Sequence, residues 1–197
     1  MGITRKAAMV MAIAGAFAAS AAGAQTVDYT TTGIFSASGT STASFGTGAN
    51  TVFLNFLNGG GTVGQPFPGN GSFGSIQATG GGTGLAGLTG NLTINFFQTL
   101  PTGGTGSLAG SLSGNLTFNG SNAYFTPTTT STNIGYVTYS LPNHPFAIVS
   151  PTTCPVGPGS CGITSLQGTI TTPEPSSMAL LGTGLVGLVP MVRRRRK

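Results

Sequence analysis

The chain has 197 residues, with seven Lys or Arg against two Asp or Glu and a formal net charge of +5. All seven cations lie at the ends, as Arg5, Lys6 and Arg193 to Lys197, so the basic balance belongs to the termini. A middle without a single Lys or Arg cannot neutralise phosphates, which excludes nucleic acid as a partner.

At the N-terminus, Arg5 and Lys6 precede an apolar run from Ala7 to Ala19. Ala22-Gly23-Ala24 then places small side chains at the −3 and −1 positions of a cleavage site, with Gln25 as the first mature residue. This is the pattern of a secretory signal peptide over 1–24, removed by signal peptidase after general secretion. The apolar run is too short for a membrane span.

The segment 25–172 has the size of one domain. It holds 28 glycines, one acid (Asp28) and one histidine (His144). Phe, Leu, Ile and Val together make 35 of its 148 residues, about 24%, which is above the disorder range and predicts collapse into a folded core with loose glycine-rich loops.

No long helical periodicity appears. Strand signals recur between turn clusters. Val27 to Phe35 has Val27, Tyr29 and Thr31 on one parity. Thr51 to Leu57 (TVFLNFL) reads as a buried strand, and Asn58 to Gly74 as a glycine-proline loop. Further strands are expected at Gly90 to Phe97, Gly114 to Asn119, Tyr124-Phe125, Ile134 to Leu141, Phe146 to Val149 and Ile163 to Ile170. About eight short strands with Gly, Pro and Thr-rich turns predict a mainly β fold, a single sandwich or barrel-like domain. Residues 82–95 (GTGLAGLTGNLTIN) nearly repeat in 104–119 (GTGSLAGSLSGNLTFN). Two copies are too few for a solenoid, so the repeat predicts a pair of adjacent antiparallel strands.

Candidate chemistry is sparse. Gly-x-Gly-x-x-Gly recurs, but no acid lies between Asp28 and Glu174 to hold a ribose, and no βαβ pattern follows. Paired carboxylates for glycoside cleavage are absent from a core with one acid. Asp28, His144 and a serine could be assembled into a triad, yet no Gly-x-Ser-x-Gly elbow occurs, and Pro142-Asn143-His144-Pro145 reads as an exposed turn. The expectation is therefore a non-enzymatic core with no catalytic residue, no cofactor and no metal. Cys154 and Cys161 enclose six residues, and in an exported chain they are expected to pair as a hairpin staple contributing about 2.5 kcal/mol. Tyr29, Tyr124, Tyr136 and Tyr139 either pack the core or form a surface that stacks on sugar rings, the alternative reading being a polysaccharide-binding module.

The last 25 residues, 173–197, have three parts. Pro173-Glu174-Pro175 is stiff and extended. Met178 to Val192 carries no charge, and as a helix it rises about 22 Å, short of a hydrocarbon core near 30 Å. Arg193, Arg194, Arg195, Arg196 and Lys197 mark the cytoplasmic end by the positive-inside rule. The tail thus reads as a weak transmembrane helix, with the core on the non-cytoplasmic side.

This order of Pro-Glu-Pro, Ser, short apolar helix and arginine cluster resembles the PEP-CTERM sorting signal. The resemblance implies processing by exosortase, an inner-membrane transpeptidase that recognises the motif and removes the helix. It also implies delivery to the cell surface or the exopolysaccharide biofilm matrix of a Gram-negative bacterium. Thr172 stands where many members have Val, and Pro190 interrupts the helix. The terminal strand running into the motif loosely resembles the "choice-of-anchor" β-domains.

Overall fold

The computed structural model describes residues 25–80, 82–151 and 162–173. Chain segment 26–171 forms one compact unit. Its strands are β1 (Val27–Phe35), β2 (Thr42–Phe45), β3 (Val52–Leu57), β4 (Gly60–Val63), β5 (Gly69–Gly80), β6 (Ala86–Leu100), β7 (Gly104–Leu116), β8 (Ser121–Pro127), β9 (Ser131–Ile134), β10 (Val137–Ser140), β11 (Phe146–Ala147) and β12 (Ile163–Thr171). One single-turn 3-10 helix, Gly48–Asn50, is the only helix among the described residues. Sheet A runs β11-β8-β7-β6-β1-β4 and sheet B runs β2-β3-β5-β12-β10-β9, six strands each and antiparallel throughout. Their inner faces meet over one apolar core. The architecture is β-sandwich-like, as expected.

The strand count is twelve, against about eight expected from the sequence. Three strands hide in polar sequence. β2 (TASF) is too short to signal. β4 (GGTV) and the start of β5 lie inside Asn58–Gly74, which reads as a loop because glycine dominates it. The Ile134–Leu141 strand is two strands, divided by a turn in which Gly135 takes φ +60°. The Gly114–Asn119 expectation catches only the end of β7, which begins ten residues earlier. β3 is not buried on both faces: Val52, Leu54 and Phe56 point inward while Phe53 is 46% exposed.

Other expectations hold. β1 buries Val27, Tyr29, Thr31, Gly33 and Phe35 on one parity. The near-repeat forms the β6–β7 hairpin, paired from Ala86↔Leu116 to Gln98↔Gly104. Within it, the repeated glycines Gly90 and Gly114 both sit at positive φ, +132° and +98°, a conformation that favours glycine.

A bulge in β5 sets the inward pattern of sheet B. Ser165 faces Ser75 and Gln167 faces Ser72, so Phe73 and Gly74 together oppose the single residue Leu166. The extra residue resets the parity and lets both Phe73 and Ile76 point into the core. Gly74 holds φ +110° there.

Glycine has a second use that the loop reading misses. A Cβ on Gly33 would overlap the Phe56 ring, one on Gly110 the Phe125 ring, one on Gly168 the Phe73 ring and one on Gly71 the Tyr29 hydroxyl. All four lie in strands. The missing side chains leave sockets that the aromatic rings fill, so much of the glycine is packing rather than slack.

Four rings close the centre. Tyr29 and Phe96 come from sheet A, Phe73 and Tyr139 from sheet B. Tyr29–Tyr139 centroids are 5.3 Å apart, Phe73–Phe96 4.9 Å and Phe96–Tyr139 4.9 Å. Such edge and tilted contacts contribute about 0.5–1.5 kcal/mol each beyond area burial. Buried Thr31 adds a polar tie between the sheets, its hydroxyl donating to Phe73 O at 3.1 Å and accepting from Gly59 N at 2.9 Å.

Candidate functional site

β12 carries the chain toward Pro173. It lies in the interior of sheet B, between β5 and β10, with Ile170 opposite Gly69 and Tyr139, and Thr171 opposite Thr138. Leu166 and Ile170 anchor it in the core. Its last residue, Thr171, is two positions before Pro173, so one residue, Thr172, separates the strand from the motif. Pro173 is the last described residue and is exposed.

The other residues singled out at the ends lie outside the described residues: Ala22, Ala24, Glu174, Pro175 and Arg193 to Lys197, together with the expected helix from Met178 to Val192. Gln25 is described and half-buried. No helix among the described residues is long and apolar enough to cross a membrane. Cys154 and Cys161 also lie outside the described residues. The residues flanking their segment are close together: a Cβ on Gly162 would lie 3.3 Å from Ser150 O.

Asp28 and His144 make separate local contacts. The Asp28 carboxylate accepts hydrogen bonds from Thr99 at 3.0 Å and Thr62 at 3.3 Å. His144 is exposed, with Nδ1 3.1 Å from Pro145 O and its ring 5.0 Å from that of Phe146. Among the described residues no group of three or more His, Cys, Asp or Glu could hold a metal ion.

The four tyrosines do not share a surface. Tyr29 and Tyr139 are buried, which removes them from any sugar-stacking face. Tyr29 donates to Ser72 O at 3.1 Å and Tyr139 to Gln98 Oε1 at 2.7 Å. Gln98 in turn donates through Nε2 to Thr102 O at 2.7 Å. Burial pushes the Tyr29 phenol up to about 12. The Tyr139 phenol is pushed higher still, by burial first and then by the charges of Tyr29 and Asp28. Only Tyr124 (39%) and Tyr136 (45%) are exposed.

A different aromatic stands on a sheet face. Phe97 of β6 is 44% exposed on the outer surface of sheet A, opposite Thr30 of β1 and Thr105 of β7. The next outward row is Thr32, Asn95 and Ser107. Asn95, Phe97, Thr105 and Ser107 line a shallow depression there. Sequence reasoning misses Phe97 because it follows Phe96, and only the strand's parity says which ring of the pair faces out.

Residues 171–197 match the family model of the PEP-CTERM protein-sorting motif. No curated protein matches the chain, and no solved structure matches it.

Proposed function

We propose that this chain, which carries a PEP-CTERM sorting motif at its C-terminal end, is an exported β-domain processed by an exosortase at the inner membrane of a Gram-negative bacterium and delivered to the cell surface or the exopolysaccharide matrix. The observation that carries the reading is the motif match over 171–197, beginning at the last residue of β12. In this reading 1–24 is the signal peptide, 25–172 the exported core and 173–197 the sorting segment. Pro173-Glu174-Pro175 is the recognised stretch, the apolar segment a temporary anchor, and Arg193 to Lys197 hold its cytoplasmic end. The core acts as a structural or interaction module and catalyses nothing. Asp28 bonded to two threonines and His144 exposed on a turn support that assignment.

The test is Glu174→Ala in the native host. The variant accumulates as a membrane-retained precursor, heavier than the processed protein by the mass of the tail. Normal release of the variant, or mature surface protein that still carries Arg193 to Lys197, sinks the reading and makes the tail a plain anchor.

A second reading, polysaccharide binding by the core, is favoured by exposed rings on uncharged ground. Phe97 stands among Thr, Asn and Ser side chains, and Tyr124 lies outward on β8 of the same sheet. Neutral hydroxyl and amide groups with an aromatic platform suit an uncharged glycan. Pull-down on neutral polysaccharide separates the readings: saturable binding lost in Phe97→Ala or Tyr136→Ala supports a binding module, and no binding leaves the structural role.

A further inference from the structure

The register places the start of β1, the end of β12 and three turns of the sandwich at one end. Thr171 pairs with Thr138, two residues past Tyr136 in the β9–β10 turn. Ile170 pairs with Gly69, which follows the loop 64–68. Val27, the first residue of β1, pairs with Val63 just before that loop, and Asp28 pairs with Leu100 just before the β6–β7 turn. The two remaining turns touch, since a Cβ on Gly135 would lie 3.0 Å from Thr102 Oγ1. This end exposes Leu100 (47%), Tyr136, Pro66 and Pro68. Among the described side chains its only charge is Asp28, whose carboxylate is held by Thr62 and Thr99.

We propose that this end is a lipid-facing surface, and that in the unprocessed protein Leu100, Tyr136 and the loop 64–68 rest at the headgroup–acyl boundary of the membrane holding the tail. The proposal rests on the reading of the tail as a membrane anchor. Seven Cα–Cα steps separate Thr171 from Met178, a reach of about 25 Å at most. The opposite end, with the turn 117–120 and Leu85, lies about 40 Å away along the β6–β7 hairpin. Apolar side chains are exposed at both ends, so the short tether and not hydrophobicity selects which one meets lipid. A tyrosine with a wet hydroxyl and an apolar ring suits that boundary. With no Lys or Arg in the domain, the amino terminus left at Gln25 is the one cation near this end, so attraction to anionic lipid is small and the contact depends little on salt and lipid charge.

The test uses the chain from Gln25 to Lys197, as it stands once the signal peptide is removed, in vesicles, once of phosphatidylethanolamine with phosphatidylglycerol and once of phosphatidylcholine. Amide exchange is read at Thr102, Gly103, Gly135 and Tyr136, and at the 117–120 turn as an internal control. A second chain carries a Gly-Ser spacer of about 30 residues between Thr172 and Pro173, which keeps the anchor and frees the domain. The expected result is exchange at the four amides that is about tenfold slower in the parent than in the spacer chain, in both lipids, with the 117–120 turn unchanged. Equal exchange in the two chains overturns the proposal while leaving the anchor intact. Failure of the parent to float with vesicles overturns the anchor reading and this proposal with it. Protection seen only with anionic lipid overturns the charge-independent contact.

Discussion

Gly168 lies against the ring of Phe73 in space that a methyl group would have to share with it. Gly168 belongs to β12 and Phe73 to the bulged part of β5, so the pair locks the strand that leads to the sorting motif. A Cβ there would also crowd Ser140 O of β10. Gly168→Ala is expected to lower stability by about 1–3 kcal/mol, as overpacking does. The measurement is the urea midpoint of the exported protein, and an unchanged midpoint would show that the socket relaxes freely.

The buried phenols give the molecule an alkaline limit. The Tyr29 and Tyr139 phenols are both raised in the fold, so the folded state holds protons that the unfolded state releases near pH 10. Their contribution to stability is fully present below pH 10 and falls as pH rises through about 12. Urea midpoints taken up this range are expected to decline, with the last tyrosinate absorbance appearing together with loss of the β-sheet circular dichroism. Tyr139→Phe is expected to flatten part of the decline. At neutral pH it costs about 1–2 kcal/mol, because Gln98 Oε1 loses its buried donor.

The two cysteines are expected to be bridged in the exported protein. Ser150 and Gly162, which flank the intervening segment, already lie side by side, and the compartment is oxidising. Alkylation without reductant followed by intact mass should add nothing. Modification of both Cys154 and Cys161 would refute the pairing.

Trypsin has no substrate bond in the mature core, since Lys6 and Arg193 bracket a stretch without Lys or Arg. The processed protein is expected to survive trypsin even in denaturant, whereas chymotrypsin cuts it at its aromatic residues once unfolded. Tryptic fragments from within 25–172 would contradict the absence of basic residues in the exported form.

The sequence showed most where side-chain periodicity and parity agree. β1 and β12 carry most of their large or branched residues on one parity, interrupted by Gly33 and Gly168, with mostly polar ones between, and both were legible nearly to the residue. The β6–β7 hairpin was legible from its repeat. β4 and β5 were not, since Gly60, Gly61, Gly69 and Gly71 carry no side chain to show a period and the rest of β5, Ser75 to Gly80, was not read as a strand. Their strand character comes from partners such as Tyr29, whose hydroxyl occupies the space at Gly71. The tyrosines divide between core and surface for a similar reason: Tyr139 and Tyr136 are three residues apart, and the turn at Gly135 decides which is enclosed. The sorting segment was legible because its signal is the order of residue types along the chain, which needs no fold to read.

The interior position of β12 has a mechanical consequence. A strand at a sheet margin is held by one ladder alone, which opens one hydrogen bond at a time when the strand is peeled sideways. β12 is held along one side from Ile163 to Ile170 by β5 and along the other from Thr169 to Thr171 by β10. A force entering at Thr171 runs along the strand axis and loads both ladders together in shear, with the Leu166 and Ile170 side chains keyed into the interior as well. A protein fastened by this end and dragged by flow would therefore resist opening better than one fastened through a marginal strand such as β4 or β9.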